Sequence, residues 1–251
     1  MKIEAILTPA ELPALARRDL RGAACVVFDV LRATSTFVTA LRNGAKAVIP
    51  AAEISEALAI KNSEFGIRNS ESVLLAGERD GVKIRAAQTG GTDFDLGNSP
   101  REFTPEMVRD RTIVSTTTNG TRALRACVGA QTVLAGSFLN LGATAEFIKK
   151  LQPARVLLVC AGTHENAALE DALAAGALCE LLAGEISDAA EIARCAHAQA
   201  RSDLAAVVRN SENARRLLAI PELRDDVAFC LQRDIFPLIA GMEADGAIRR
   251  Q

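Results

Sequence analysis

The feature that most restricts the fold of this chain is a series of short apolar runs, most of which are followed by a turn and a helix-like segment. The runs are residues 24–28, 47–50, 73–76, 112–114, 132–135 and 156–160. Runs that are apolar on both faces and alternate with helices are typical of a sheet covered by helices on both sides. The sequence therefore predicts an α/β fold with three layers, α/β/α, around a largely parallel or mixed central sheet.

The organisation of the chain favours one domain over residues 1–251. Hydrophobic residues make up 49% of the 251 residues, which is enough for a sizeable core. No long linker or repeat interrupts the pattern. Residues 80–98 contain four glycines and are predicted to form a functional loop. From about residue 166 the chain is rich in Ala, Leu and Glu and is predicted to be mostly helical.

Charge and composition argue against several classes of partner. The net charge is −2 and the chain has no Trp or Tyr, so nucleic-acid binding is not expected. Six cysteines without a CxxC pair are typical of reduced thiols in a cytoplasmic protein. We expect no signal peptide and no membrane helix, because no sufficiently long apolar run occurs. The Ala- and Leu-rich helices of the second half offer a face for a homodimer.

A hydroxyl-rich turn follows the run 112–114 and precedes a helix-like segment. Its candidate ligand-binding residues are Ser115, Thr116, Thr117, Asn119, Gly120 and Thr121. The first N–H groups of a helix have no partner within the helix, and with the helix dipole they favour a phosphate or another oxyanion. Ser, Thr and Asn also favour turns and helix caps for local reasons. The turn alone is compatible with an anion site and with a capped loop.

Charged residues follow other predicted strands, where ligands of α/β sheets bind. They are Asp29, Arg32, Glu78, Arg79, Glu170 and Asp171. If the strands run parallel, these side chains meet the hydroxyl-rich turn. Carboxylates beside an anion site would repel a phosphate unless a cation lies between them, and Mg²⁺ is the expected cation. Such a site suits phosphoryl transfer. The alternatives are a cap, a solvated charged turn and an acidic first helical turn.

Seven segments in order carry a resemblance to a known family. They are VVFDVLRATSTFVTAL (26–41), LAGERDGVKI (75–84), FDLGNSP (94–100), STTTNGTRAL (115–124), AGSFLN (135–140), CAGT (160–163) and LEDALAAGAL (169–178). The chain resembles the magnesium-dependent 2-phosphosulfolactate phosphatases, the ComB family. The resemblance implies a three-layer α/β fold, a requirement for Mg²⁺ and hydrolysis of 2-phosphosulfolactate to sulfolactate and phosphate, an early step toward coenzyme M. Residues 85–93 form a longer spacer than the family pattern, which bears on substrate identity.

Together these observations predict a Mg²⁺-dependent phosphatase of a small anionic phosphate ester. Asp29, Glu78 and the pair Glu170 and Asp171 are predicted to supply metal ligands or the general base. The turn 115–121 is predicted to bind the phosphate, with positive charge from Arg32 and Arg79 and substrate orientation by Asn98 and Ser99. Metal-activated water and a covalent phosphate on Asp29 both remain open. A phosphatase of another small acid and a noncatalytic phosphate sensor are the alternative functions.

Overall fold

The described residues form one mixed sheet of eleven strands. The structure is a computed structural model and describes residues 1–63 and 72–251. The strands are β1 (Lys2–Ile6), β2 (Ala23–Phe28), β3 (Ala47–Pro50), β4 (Val73–Arg79), β5 (Val82–Lys83), β6 (Thr112–Thr116), β7 (Thr132–Gly136), β8 (Arg155–Cys160), β9 (Glu185–Ile186), β10 (Ala240–Met242) and β11 (Ile248–Arg250). Their order is β5-β4-β6-β3-β11-β10-β7-β2-β8-β1-β9.

Twelve α-helices in the described ranges connect or cover these strands. They are α1 (Leu12–Leu15), α2 (Ala33–Arg42), α3 (Ile54–Asn62), α4 (Ala86–Thr89), α5 (Pro105–Val108), α6 (Gly120–Ala126), α7 (Leu141–Leu151), α8 (Leu169–Leu181), α9 (Asp188–Ala200), α10 (Leu204–Arg209), α11 (Glu212–Leu218) and α12 (Arg224–Cys230). Short 3₁₀ turns adjoin several of them. None of these helices combines the length and apolar character needed to cross a lipid bilayer.

The alternation of side chains along β2 explains the three layers. Cys25 and Val27 belong to the hydrophobic core that also holds residues of α2 and α6. Val26 and Phe28 point to the other face, into the core that holds residues of α7, α8 and α9. Successive strand residues face opposite sides, so a strand buried on both faces needs helices on both. The predicted three-layer α/β/α fold with a mixed sheet is therefore confirmed.

Most of the strands belong to two parallel blocks that run in opposite directions, so the sheet is mixed rather than uniformly parallel. Strands β4, β6 and β3 are parallel, as are β7, β2, β8, β1 and β9. Between the blocks, β3–β11, β11–β10 and β10–β7 all pair antiparallel. Three antiparallel steps reverse the direction. Wide twisted sheets curl. Helix α2 contacts β3, β11, β10 and β7, and therefore packs against both blocks.

Helix α2 is buried although it is rich in hydroxyl groups, and it leads directly from β2 into the interior. Its first nine residues, 33–41, are all buried. The hydroxyl groups are satisfied by carbonyl oxygens. Ser35 Oγ donates to Val30 O and Thr39 Oγ1 donates to Ser35 O, each at 2.8 Å. Thr36 Oγ1 donates to Asn98 O at 2.8 Å, which fixes the segment before the 3₁₀ turn Pro100–Glu102 against the helix.

Three parts of the chain differ from the sequence prediction. The segment 80–98 contains β5 and α4 rather than loop alone. The mostly helical second half ends in β10 and β11, which lie in the middle of the sheet. These strands have three residues each, too few to show a period of two. The N-terminal β1 also pairs in the sheet, between β8 and β9.

Candidate active site

A polar cleft lies where the turns after β2, β4, β6 and β8 meet α11. The cleft has a volume of about 40 Å³, which suits ions, waters or the polar head of a ligand. Five residues predicted from the sequence line it: Asp29, Arg32, Glu78, Asn98 and Asn119. The turns meet directly, because Asn119 Nδ2 donates to Ala161 O at 2.9 Å and to His164 O at 3.0 Å. The sheet therefore brings together residues from both blocks.

Asp29 lies at the turn between β2 and α2, with one carboxylate oxygen fixed by the backbone. Its Oδ1 accepts a hydrogen bond from the N–H of Ala33 at 3.1 Å. Burial and the negative charges of Glu78 and Glu170 raise the pKa of Asp29 to about 7. The Ala33 N–H and the charge of Arg32 oppose this rise. A carboxyl group with a pKa near neutrality in a cleft is a candidate for metal binding or proton transfer.

The hydroxyl-rich turn approaches Asp29 closely because of a glycine. A Cβ atom at Gly120 would lie 2.6 Å from Asp29 Oδ2 and 2.8 Å from the Cβ of Ala33. Thr117 Oγ1 would be 3.3 Å away. Only glycine therefore lets the start of α6 lie against the turn that carries Asp29. This contact joins the end of β6 to the end of β2.

Glu78 joins two turns at the rim of the cleft. Its Oε1 accepts hydrogen bonds from the N–H and the Oγ1 of Thr118, both at 3.1 Å. Its Oε2 accepts from the N–H of Gly81 at 2.6 Å. Gly81 has φ +82°, a conformation that favours glycine. Both carboxylate oxygens of Glu78 thus hold the turn after β4 against the turn after β6.

Arg32 is held in place by a buried ion pair. Its Nη1 donates to Asp226 Oδ2 at 2.8 Å, and its Nη2 donates to Gly81 O at 2.6 Å. Asp226 is completely buried and also accepts a hydrogen bond from Ser99 Oγ at 2.7 Å. Ser99, predicted to orient the substrate, therefore contacts the partner of Arg32, while Asn98 lines the cleft.

The two neighbouring acids of α8 have different environments. Asp171 Oδ1 accepts from the N–H of Val30 at 2.8 Å, and its Oδ2 accepts from the N–H of Gly162 at 3.0 Å. Burial and the charges of Asp29 and Glu170 raise the pKa of Asp171, whereas the hydrogen bonds from these two N–H donors lower it. Asp171 thus links the turns after β2 and β8.

Glu170 lies behind the lining of the cleft and is fully buried. Its Oε1 accepts from Asn213 Nδ2 at 2.6 Å. No donor from the described residues reaches its Oε2. Thr117 Oγ1 and Asn119 Oδ1 are likewise buried without a hydrogen-bond partner in the described ranges. A buried polar atom without a partner is costly, so these oxygens suit a bound water or cation.

The oxygen donors fit a cation that keeps much of its water shell. In the described part of the chain, no group of three or more His, Cys, Asp or Glu side chains is arranged to hold a metal ion. Glu78 and Asp171 use both carboxylate oxygens on other donors. The oxygens left are Asp29 Oδ2, Glu170 Oε2 and the neutral oxygens of Thr117 and Asn119. Mg²⁺ binds through one or two carboxylates together with waters, which this oxygen-only set suits.

Other predicted residues lie beside the cleft and do not line it. Arg79 Nη2 donates to Thr116 Oγ1 at 3.2 Å, and Arg79 Nη1 donates to Glu78 O at 2.7 Å. Ser115 and Thr116 belong to β6 and are buried. Thr121 Oγ1 donates to the carbonyl oxygen of Thr117 at 3.1 Å within the first turn of α6. These four residues support the turn rather than face the cleft.

The structure adds cleft residues that sequence reasoning did not assign. Asn213 and Arg216 come from α11 and line the cleft together with Thr163 and His164, which follow β8. Asn213 Nδ2 donates to Thr163 Oγ1 at 2.6 Å. The polar residues of α11 stand in an amphipathic, Ala- and Leu-rich segment where a polar residue is ordinarily solvated. No local sequence signal distinguishes them.

A family model and several relatives of this chain all carry the same family description. The sequence model of the 2-phosphosulpholactate phosphatase family matches residues 7–245. A probable 2-phosphosulfolactate phosphatase of Caldanaerobacter subterraneus subsp. tengcongensis is 38% identical over 236 residues, 92% of each chain. That of Thermotoga petrophila is 40% identical over 215 residues, 85% of this chain and 86% of the relative. That of Clostridium acetobutylicum is 34% identical, covering 95% of this chain and 96% of the relative. The chain therefore belongs to the 2-phosphosulpholactate phosphatase family.

Proposed function

We propose that this protein hydrolyses the phosphate ester of 2-phosphosulfolactate in a reaction that requires Mg²⁺. The family and the names of the relatives support the reaction and its substrate. The observation that carries the metal requirement is the burial of Asp29 close to the negative charges of Glu78 and Glu170, which together raise its pKa to about 7. A divalent cation would offset this repulsion.

Four oxygens accept no hydrogen bond from the described residues, and this supports their residues as the ligands of Mg²⁺. They are Asp29 Oδ2, Glu170 Oε2, Thr117 Oγ1 and Asn119 Oδ1. A bound Mg²⁺ neutralises phosphate charge and polarises a water molecule. The remaining residues of the cleft position the substrate.

The phosphate is expected to bind between Arg32 and the first turn of α6. Helix α6 begins at Gly120, and the first N–H groups of a helix have no partner within it. Arg32 is fixed by Asp226 and Gly81, so its guanidinium loses little freedom when a phosphate binds. Glu78 and Asp171 hold the surrounding turns at fixed separation. Positioning and charge neutralisation carry most of the catalysis in phosphoryl transfer.

Release of inorganic phosphate from 2-phosphosulfolactate tests the reaction and the metal together. We expect turnover with Mg²⁺ and loss of turnover in excess EDTA, restored by added Mg²⁺. Phosphate release from other small phosphorylated acids at an equal or higher kcat/KM would favour the alternative phosphatase. Tight binding of the ester without phosphate release would favour the sensor and contradict the proposal.

Calorimetric titration with Mg²⁺ tests the ligand set without relying on turnover. We expect Glu170→Gln to weaken Mg²⁺ binding by about tenfold or more, because the amide supplies a weaker ligand than a carboxylate. Glu165→Gln is the matched control, since Glu165 is an exposed glutamate near the same cleft and pairs with Arg122 at 3.1 Å. Equal Mg²⁺ affinity in the wild type and both variants would contradict the assignment of Glu170.

A further inference from the structure

Arg216 is a cleft arginine that forms no ion pair with a carboxylate of the described residues. It lines the cleft beside the turn that carries Gly81. Among residues 1–63 and 72–251, no carboxylate oxygen lies within ion-pair distance of its guanidinium. The other arginine of the cleft, Arg32, pairs with Asp226 at 2.8 Å. The two arginines therefore differ in the charge that is left for a ligand.

The guanidinium of Arg216 is nevertheless held in one orientation. Its Nη2 donates to Asn213 Oδ1 at 2.9 Å. Asn213 in turn donates from Nδ2 to Glu170 Oε1 and to Thr163 Oγ1, each at 2.6 Å. An amide with three hydrogen bonds has little freedom to rotate. The chain of contacts fixes Arg216 relative to the acidic end of the cleft.

One donor of Arg216 is buried without an acceptor. Within the described residues, no atom accepts a hydrogen bond from its Nε, although that atom is buried. The nearest heavy atom to a Cβ placed on Gly81 would be this Nε, at 3.7 Å, so the guanidinium faces the rim turn after β4. Leaving a charged donor buried and unpaired is unfavourable, and an anionic ligand would satisfy both the donor and the charge.

We propose that Arg216 binds the acid group of the substrate that does not react, and so selects phosphate esters that carry a second acid group. This inference rests on the proposed function, because it assigns a second anion to the same cleft. The reacting phosphate is expected at the start of α6, next to Asp29 and Gly120. Arg216 comes from a different element, α11, and lies against the rim turn at Gly81. Two planar N–H donors of an arginine match the oxygens of a sulfonate or a carboxylate.

The inference is tested with equilibrium binding of sulfolactate, the expected product, and of inorganic phosphate, both with Mg²⁺ present. We expect Arg216→Gln to raise the Kd of sulfolactate by about 30-fold, the size of a charge-assisted hydrogen-bond loss, and that of phosphate by less than about threefold. Arg215→Gln is the matched control. Arg215 is the exposed neighbour on the same helix, and it donates to Asn210 O at 2.6 Å.

The outcomes separate this inference from the proposed function. If the wild type releases phosphate from 2-phosphosulfolactate but Arg216→Gln keeps its sulfolactate affinity, the inference is wrong and the function stands. If Arg216→Gln weakens sulfolactate and phosphate equally, Arg216 does not select a second acid group. If the wild type binds sulfolactate through Arg216 but releases no phosphate, the proposed hydrolysis is wrong, and only the binding of an acid group by Arg216 stands. A wild type that does not bind sulfolactate overturns the inference.

Discussion

Replacing Asp29 with asparagine tests the electrostatics of the cleft apart from its chemistry. In the metal-free protein, burial and the charges of Glu78 and Glu170 raise the pKa of Asp29 from 3.8 to about 7. The folded state then binds more protons than the unfolded state between these two pH values. The stability that protonated Asp29 allows is therefore fully present below about pH 4. It is lost as the pH rises through 7, because the buried carboxyl then ionises.

The size of the effect follows from the two pKa values. The difference between about 7 and 3.8 corresponds to about 4 kcal/mol of unfavourable free energy when Asp29 is ionised. Asp29 is only partly buried, so solvent screening reduces this to about 2 kcal/mol. Asparagine retains the Oδ1 that accepts the Ala33 N–H and carries no charge. We expect Asp29→Asn to be about 2 kcal/mol more stable than the wild type above pH 8.

Urea unfolding in EDTA at intervals from pH 4 to pH 8.5 measures this difference. The gain of Asp29→Asn should be small near pH 4 and should grow through neutrality to a plateau. Asp80→Asn is the control, because Asp80 lines the same cleft but is exposed, and it should change stability by less than about 0.5 kcal/mol at every pH. A gain that does not vary with pH, or an Asp29→Asn protein less stable than the wild type at pH 8, would show that the buried charge of Asp29 does not destabilise the fold.

Two further substitutions test the packing around the cleft. Gly120→Ala places a Cβ 2.6 Å from Asp29 Oδ2. This substitution should lower the free energy of unfolding by about 1–3 kcal/mol and kcat by about 100-fold. An unfolding midpoint equal to that of the wild type would contradict the close approach of Gly120 to Asp29. Asp226→Asn leaves Arg32 without its buried partner and should cost about 3 kcal/mol in urea unfolding. Asp225→Asn is its control, since the side chain of Asp225 is 69% exposed and its removal should cost less than about 0.5 kcal/mol. Equal losses in the two variants would show that burial of the Arg32 pair does not matter.

The sequence predicts the strands next to the site well but not the direction in which they run. The six apolar runs all form strands of the sheet, and the turns that follow β2, β4, β6 and β8 do meet. The strands β10 and β11 are three residues each and include Gly241 and Arg249, so they lack an apolar signature. They nevertheless join the two parallel blocks and reverse their relative direction. Long-range pairing of this kind has no local signal.

The roles of charged residues depend on which of two adjacent side chains faces inward. Asp225 and Asp226 are neighbours in α12, yet only Asp226 is buried against Arg32. In α8, one oxygen of Glu170 has no donor among the described residues, whereas Asp171 uses both oxygens on backbone N–H groups. Successive residues of a helix point about 100° apart, and the packing partner decides which one is buried. The sequence identifies such acidic pairs but does not assign a task to each member.

We propose that Asp29 takes part directly in phosphate-ester hydrolysis within this cleft. Phosphate release from 2-phosphosulfolactate at saturating Mg²⁺, compared between the wild type and Asp29→Asn, tests it most directly. We predict a folded Asp29→Asn protein whose kcat is lower by about 1,000-fold or more. A variant that turns over within about tenfold of the wild type would contradict the assignment, since such a loss is too small for a residue that holds the metal.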